Sequence, residues 1–508
     1  MDTLGTLDWV VVAAYLGVVG ALGYACSSTA SSAKDYFLGG RQLPWWAATL
    51  SIIATETSAV SFIGLPAAAY GGNWSVLQLV AGLILGRLFL AFVFVRVFYE
   101  RDDLTVYGFL SHRFGERTRR LAALLFVVGR LVASGVRLYG GCFAIHIASG
   151  LPIEWSIVIL AAVGTALAYS GGIKTVVWTD VLLGLTLIAG GLVVGLCLLS
   201  EIPGGLQAVM NHETFAAKTS IVGEFFGGLG NAKSLVAGLL GGFVLTMATH
   251  GTDQDIAQRI LTCRDSKTGS LSLIGSAALI LPVFALFLAV GTLLHFEQVL
   301  GHPGAERPPA DNKLLPGYIA NSLPAGLGGF VMAGLLAAAL SSFTSALNAL
   351  ASTAVGDFLV PLRPSIAKRD VFASKVATLV LAVVLAGVAL GFVGSGKNIF
   401  TLSIQVFSYV YGALLGAFLL GILTKRGNDV SAPIGMLISV PLALTLQLRE
   451  FVKDPGKAPN FVRSAIDSLP ESVQSVLVES IPDVAPLYWL IVSTAACGIV
   501  AAVGRRKA

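Results

Sequence analysis

The chain is a succession of apolar stretches of about 20 residues, the length that crosses a hydrocarbon core, separated by polar loops. The stretches fall near 8–26, 45–70, 75–99, 119–148, 153–171, 175–200, 232–262, 268–296, 325–355, 371–394, 398–423, 431–448 and 485–504. This pattern predicts an all-α integral membrane protein of about thirteen spans. The longest polar segments, about 201–231, 297–324 and 449–484, leave no room for a soluble catalytic domain. Within the last, 461–470 and 473–479 suit either short amphipathic surface helices or a simple structured loop.

Two spans break the apolar pattern in their middle. One reads Ser51-Ile-Ile-Ala-Thr-Glu-Thr-Ser-Ala-Val-Ser-Phe-Ile-Gly64, the other Thr246-Met-Ala-Thr-His-Gly-Thr-Asp-Gln-Asp-Ile-Ala-Gln-Arg259. Each alone is compatible with a helix that has a polar packing face. Interrupted spans at corresponding places in two halves point instead to an inverted-repeat transporter, whose unwound backbone binds solute and ions. The chain then divides into an N-terminal extra helix and loop (1–44), a first repeat (45–200), an extracellular loop (201–231), a second repeat (232–423) and C-terminal extra helices (424–508).

A third span concentrates hydroxyls: Ser341, Ser342, Thr344 and Ser345 lie within the apolar run 334–348. Spacings of three and four put Ser341, Thr344 and Ser345 on one helix face. With no bulk water to satisfy them, such oxygens suit a neighbouring helix or a hard cation.

Composition agrees with the spans: 55% hydrophobic and 12% charged residues, with a mean hydropathy of +0.82. The net charge of +5 reflects topology and gives no support to nucleic-acid binding. Basic residues such as Arg113, Arg117, Arg119, Arg120, Arg264, Lys267, Lys425 and Arg426 share one side, which places the N-terminus outside and the C-terminus in the cytoplasm. Five isolated cysteines without CxxC or Cys/His spacing indicate neither a disulfide framework nor a zinc site.

Ionisable residues at membrane depth are functional candidates. Here they are Glu56, Arg87, Arg130, Arg137, Asp180, Asp253, Asp255 and Arg259. At about 1.5 Å per residue, Glu56 and Arg130 come to one depth, roughly 16 Å in, where they either pair with each other or jointly face a solute. Arg137 either guides an anion inward or snorkels to the outer interface, the expected course for a long cation near a span end. Asp180, about 9 Å up, is at a level to meet Thr344 and Ser345. Asp255 and Arg259 have the spacing of an intrahelical ion pair. His250, beside Gly251, is a candidate solute contact or a hydrogen-bonded scaffold residue.

These residues carry a resemblance to the sodium:solute symporter family. The matching segments are Asp35-Tyr-Phe-Leu-Gly-Gly-Arg41 with Leu43-Pro-Trp-Trp, Ala54-Thr-Glu-Thr-Ser-Ala-Val-Ser-Phe, Trp178-Thr-Asp180, Gly251-Thr-Asp-Gln-Asp-Ile-Ala-Gln-Arg259 and Leu340-Ser-Ser-Phe-Thr-Ser-Ala-Leu-Asn348. The resemblance implies a LeuT-like five-plus-five inverted repeat. It also implies a sodium site made by the carbonyls of Ala54, Thr57 and Ala338 with the hydroxyls of Ser341 and Ser342. A second site, present in some members, matches Asp180, Ser341, Thr344 and Ser345. The sialic acid branch implies Arg130 as carboxylate partner and Ser58 and Ser61 as solute contacts, but departs at Glu56, where the proline branch also carries an acid.

The expected activity is sodium-coupled uptake of a small polar organic solute, most simply a sugar, sugar acid or other organic acid, by alternating access. Sodium, one ion or two, is the expected cofactor; the expected partners are the solute and the bilayer, with no obligate protein partner evident. An amino-acid carrier, a transporter-like sensor, and proton coupling through Glu56 or Asp180 are the alternatives. A membrane-embedded enzyme is disfavoured, because no GxSxG-type nucleophile motif is present.

Overall fold

The computed structural model describes residues 4–26, 32–100, 103–311, 313–363, 365, 370–393, 399–454, 460–479, 481 and 486–504. Among them the chain is helical, without strands. The long elements are α1 (Thr6–Ala25), α2 (Trp45–Glu56), α3 (Ala59–Gly71), α4 (Val76–Tyr99), α5 (Glu116–Ser149), α6 (Ile153–Glu201) and α7 (Leu235–Gly251). They continue with α8 (Gln254–Leu261), α9 (Ser266–Phe296), α10 (Leu327–Thr353), α11 (Asp370–Leu390), α12 (Ile399–Leu423), α13 (Ser431–Lys453) and α14 (Pro486–Ala502).

Among the described residues, eight helical stretches are long and apolar enough to span a membrane, or ten if each of two bent pairs is one span. Three shorter apolar helices, Ile153–Tyr169, Val410–Leu423 and Tyr488–Ala502, fall where further spans were predicted. The bent pairs are the two interrupted spans: α2 and the Ser61–Gly71 part of α3 meet at 58°, α7 and α8 at 65°. The predicted spans 153–171 and 175–200 are joined more tightly than a loop, with only Gly172 leaving helical geometry (φ 60°, ψ −163°). A Cβ there would stand 2.5 Å from the Tyr36 carbonyl oxygen, so glycine is required by both conformation and space.

The hydroxyl-rich α10 is the central helix: 94% of its most apolar stretch is buried, against 22% in α1 and α11. Its N-terminus is capped from another element, because the Gly326 and Gly329 amides both donate to Asp8 Oδ1 at 2.7 Å. A buried carboxylate there satisfies helix-end amides that have no intrahelical acceptor.

The first limb of the second bent pair is gripped by α4 through small residues. A Cβ at Gly82 would lie 2.3 Å from the Leu239 oxygen, and one at Gly242 would lie 2.2 Å from the Leu79 oxygen. Gly82 thus faces Gly238 and Gly242 while Gly86 meets Phe243 and Thr246, the close approach that small residues permit between membrane helices. The 449–484 segment holds two short helices, Asn460–Asp467 and Glu471–Glu479.

Candidate functional site

The α2/α3 break is made by what its amides choose. In a continuous helix the Ser58 N–H would take the Ala54 carbonyl and the Ser61 N–H the Thr57 carbonyl. Instead Ser58 donates to the Glu56 oxygen (3.0 Å) and Ser61 to the Ser58 oxygen (2.9 Å). Thr57 has the geometry of an inverse γ-turn (φ −83°, ψ 73°). The Ala54 and Thr57 carbonyls therefore lose their helical donors, beside a Thr57 hydroxyl that is buried without a hydrogen-bond partner.

α10 packs against this break. A Cβ added at Gly141 of α5 would stand 2.3 Å from Ala339 Cβ and 3.8 Å from Ala59 Cβ, so three helices converge there. Ala54 lies against α6, its Cβ 3.1 Å from the position of a Cβ on Gly184. The Ser342 hydroxyl is likewise buried without a partner, and Ala338 is buried one turn before it. Ser58 and Ser61 are buried at the start of α3, the Ser61 hydroxyl 3.5 Å from the Glu56 carbonyl oxygen.

The other hydroxyls are engaged. Ser341 Oγ donates to Asp180 Oδ1. Asp180 Oδ2 accepts from Ser51 Oγ at 2.5 Å and from Arg259 Nη2 at 2.9 Å. Ser345 Oγ also accepts from Arg259 Nη2, and Thr344 Oγ1 donates to the Ser341 carbonyl at 3.1 Å. Asp180 thus meets Ser341 rather than the predicted Thr344 and Ser345; Arg259 stands between it and Ser345. A small cleft lined by Thr175, Thr179, Ser341 and Thr344 adjoins this group. Ser51 was not singled out in the sequence, although spacings of three and seven put it on the face of Ala54 and Ser58.

Of the two courses open to Glu56 and Arg130, pairing with each other does not occur. Glu56 pairs with Arg87 of α4, which also donates to the Ser276 carbonyl at 2.7 Å. His250 Nε2 lies 3.7 Å from the same Glu56 oxygen, and Thr249 Oγ1 lies 3.0 Å from its Nδ1. Depth alone did not separate the partners, since several charges share one level. Arg130 turns to the second break, bonded to Asp253 Oδ2 at 2.9 Å and to Asp255. Tyr411 OH donates to Asp253 at 2.7 Å, and Asp255 pairs with Arg259 at 2.5 Å as its spacing predicted. Arg137 is partly buried and does not snorkel outward; its Nη1 reaches the Thr55 carbonyl at 3.4 Å.

The second break is otherwise closed by its surroundings. Asp253 caps α8, accepting from the Asp255 amide at 2.8 Å. Tyr107 OH donates to the Thr252 carbonyl at 2.9 Å, and Gln254 bridges the Val106 amide and the Leu104 carbonyl. The two breaks are linked through Ser51, Asp180 and Arg259.

Comparison with known proteins places these features in a family. Residues 36–439 match the sodium:solute symporter family model. The chain is 28% identical over 452 residues to the sodium/sialic acid symporter SiaT of Proteus mirabilis, covering 87% of this chain and 89% of that protein. It is 29% identical over 459 residues to the sodium/sialic acid symporter NanT of Aliivibrio fischeri, covering 87% and 88%. Among solved structures, a substrate-bound, outward-open sodium-coupled sialic acid symporter superposes with a TM-score of 0.81, at 22% identity over 98% of this chain and 97% of that one. The fold is the LeuT-like one of sodium-coupled transporters, and the chain belongs to the sodium:solute symporter family.

Proposed function

We propose that this sodium-coupled symporter imports a small organic acid of the sugar-acid class, with sodium held between the α2/α3 break and α10. The proposed first ion site comprises the carbonyls of Ala54, Thr57 and Ala338 and the hydroxyls of Ser341 and Ser342. The observation that carries it is the coincidence of two carbonyls stripped of helical donors with two buried, unpartnered hydroxyls, Thr57 Oγ1 and Ser342 Oγ. Hard cations take such oxygens. Asp180, Ser341, Thr344 and Ser345 form a proposed second site, supported by the carboxylate–hydroxyl grouping around Asp180.

The two repeats of this proposal are residues 45–200 and 232–423, each opening on a bent pair, with the N-terminus outside and the C-terminus cytoplasmic. Sodium supplies the work. One charge crossing 100 mV contributes about 2.3 kcal/mol and a tenfold gradient about 1.4 kcal/mol. A single ion then supports roughly 500-fold accumulation of a neutral solute.

Solute contacts are assigned to Glu56, Ser58, Ser61, His250 and the cations of α5. The sialic acid substrates of the relatives support an acidic solute, received by Arg130 if it exchanges an aspartate for the solute, or by Arg137 beside the break. A second reading has its own observation: Arg130 is committed to Asp253 and Asp255 while Glu56 stands at the break. An amino-acid solute would place its ammonium group at Glu56 by displacing Arg87, that carboxylate's partner.

Purified protein in liposomes tests both readings, with sugars, sugar acids, monocarboxylates and amino acids offered with and without a sodium gradient. Sodium-driven uptake of a sugar acid, lost in Arg130→Ala or Arg137→Ala, is the expected result. Uptake confined to amino acids and lost in Glu56→Gln would replace the first reading by the second. Asp180→Ala or Thr344→Ala should lower the sodium Hill coefficient from near two toward one; an unchanged coefficient in both would leave a single ion.

A further inference from the structure

Resting on the proposed second sodium site, we infer that Arg259 is a tethered competitor for that site: its guanidinium occupies the oxygens that the second sodium ion needs, and the ion binds by displacing it. All five guanidinium donors are spent. Nε donates to Ser51 Oγ at 2.8 Å, Nη1 to the Asp255 carbonyl at 2.7 Å and to Asp255 Oδ1 at 2.5 Å, and Nη2 to Asp180 Oδ2 at 2.9 Å and to Ser345 Oγ. An arginine offers no more than five such donors. The Nη2 edge alone covers two members of the sodium set, while the Nη1 edge rests on Asp255 of its own helix.

This division makes displacement local. Arg259 can surrender Asp180 and Ser345 and keep both bonds to Asp255, so it need not be released into an apolar interior. Its helix, α8, is the short limb of a bent pair, whereas Asp180 and Ser345 sit on α6 and α10. Any change of the bend therefore moves the guanidinium relative to the oxygens. A small cleft, lined by Thr175, Thr179 and apolar side chains, reaches Ser341 and Thr344 of the same site.

The ion pairs Asp180–Arg259–Asp255–Arg130–Asp253 join three carboxylates to two guanidiniums, all at most 3% exposed, and the Arg137 cation of α5 acts on Asp255 and Asp253 from beside them. A guanidinium that shifts off the Asp180 oxygen therefore stays among carboxylates, and the charge it uncovers is the one carboxylate, Asp180, that a sodium ion would take up.

The test is equilibrium binding of radioactive sodium to detergent-purified full-length protein, which reads occupancy without transport. Arg259→Gln is expected to tighten the second sodium at least tenfold. In Arg259→Ala, millimolar guanidinium chloride should weaken it back toward the wild-type value. Should Arg259→Gln fail to fold, Arg259→Gln/Asp255→Asn removes one charge of each sign, and the same tenfold gain is expected. Second-ion binding that is unchanged or weaker in the folded Arg259 variants, while Asp180→Asn abolishes it, overturns the competitor role and leaves the site. A sodium count unaffected by Asp180→Asn overturns the second site itself, and the competitor with it.

Discussion

At the α2/α3 break, the Ser58 and Ser61 amides fold back on near neighbours, and Ala54, Thr57 and Ser342 are left with oxygens that no donor claims. At the α7/α8 break, the carboxylates of Asp253 and Asp255 are taken up by Arg130, Tyr411 and Arg259, and Tyr107 and Gln254 bond the backbone around Thr252. The local sequences are similar in kind, each a short run of small, hydroxyl and acidic residues that competes with helical hydrogen bonding. Their neighbours make the difference. The first break faces hydroxyls of α10, which leaves oxygens for a ligand; the second faces arginines, which consume them. One unwound helix is thus an open receptor, the other a closed joint.

The largest expected effect tests whether the second break is a closed joint. Removing a buried acceptor leaves its donors unsatisfied, at a cost of about 1–3 kcal/mol for each. Asp253→Ala deprives both Arg130 and Tyr411. Its thermal midpoint in detergent should fall sharply, and Arg130→Gln/Asp253→Asn should cost less than the sum of its single changes. A midpoint unmoved by Asp253→Ala would mean that this break is as open as the first.

A smaller loss is expected where α4 holds the first limb of the joint. Gly242→Leu places a side chain against the Leu79 oxygen, 2.2 Å from a Cβ, where backbone cannot yield cheaply. Overpacking of this kind costs about 1–3 kcal/mol. If the joint depends on this grip, the variant should lower the thermal midpoint and admit solvent to Asp253, read as loss of hydrogen-exchange protection in α8. Protection retained despite a lower midpoint would show that the ion pairs hold the break by themselves.

The membrane class and both broken spans were legible in the sequence, because apolar length and its interruption are properties of consecutive residues. The Asp255–Arg259 pair was legible for the same reason, being one turn apart. Partners from different helices were not. Glu56 and Arg130 were matched by depth, yet depth fixes one coordinate of three, and Arg87 on α4 lay on the correct side of Glu56. Arg259 was visible as an inner charge, but its position between Asp180 and Ser345 depends on how α8 bends toward α6 and α10. Asp8 opens the first apolar run, and only the packing reveals it as the cap of α10.

The smallest expected change in stability falls at the first break, and it sharpens the contrast most. Ser342 Oγ is buried and bonded to nothing, so Ser342→Ala deletes an unsatisfied polar atom instead of a partner. Loss of such a group is close to neutral, within about 0.5 kcal/mol, since no hydrogen bond is broken and no donor is stranded. A side chain kept for packing alone would then be replaceable without consequence. If it is kept as a cation ligand, half-saturation of uptake by sodium should rise at least tenfold in Ser342→Ala while the thermal midpoint in sodium-free buffer stays put. The stabilisation of that midpoint by added sodium should shrink correspondingly, because a ligand stabilises only in proportion to its occupancy of the folded state. Equal sodium responses in Ser342→Ala and the parent protein would remove Ser342 from the ion's shell and leave the unsatisfied oxygen at the first break without a purpose that distinguishes it from the second.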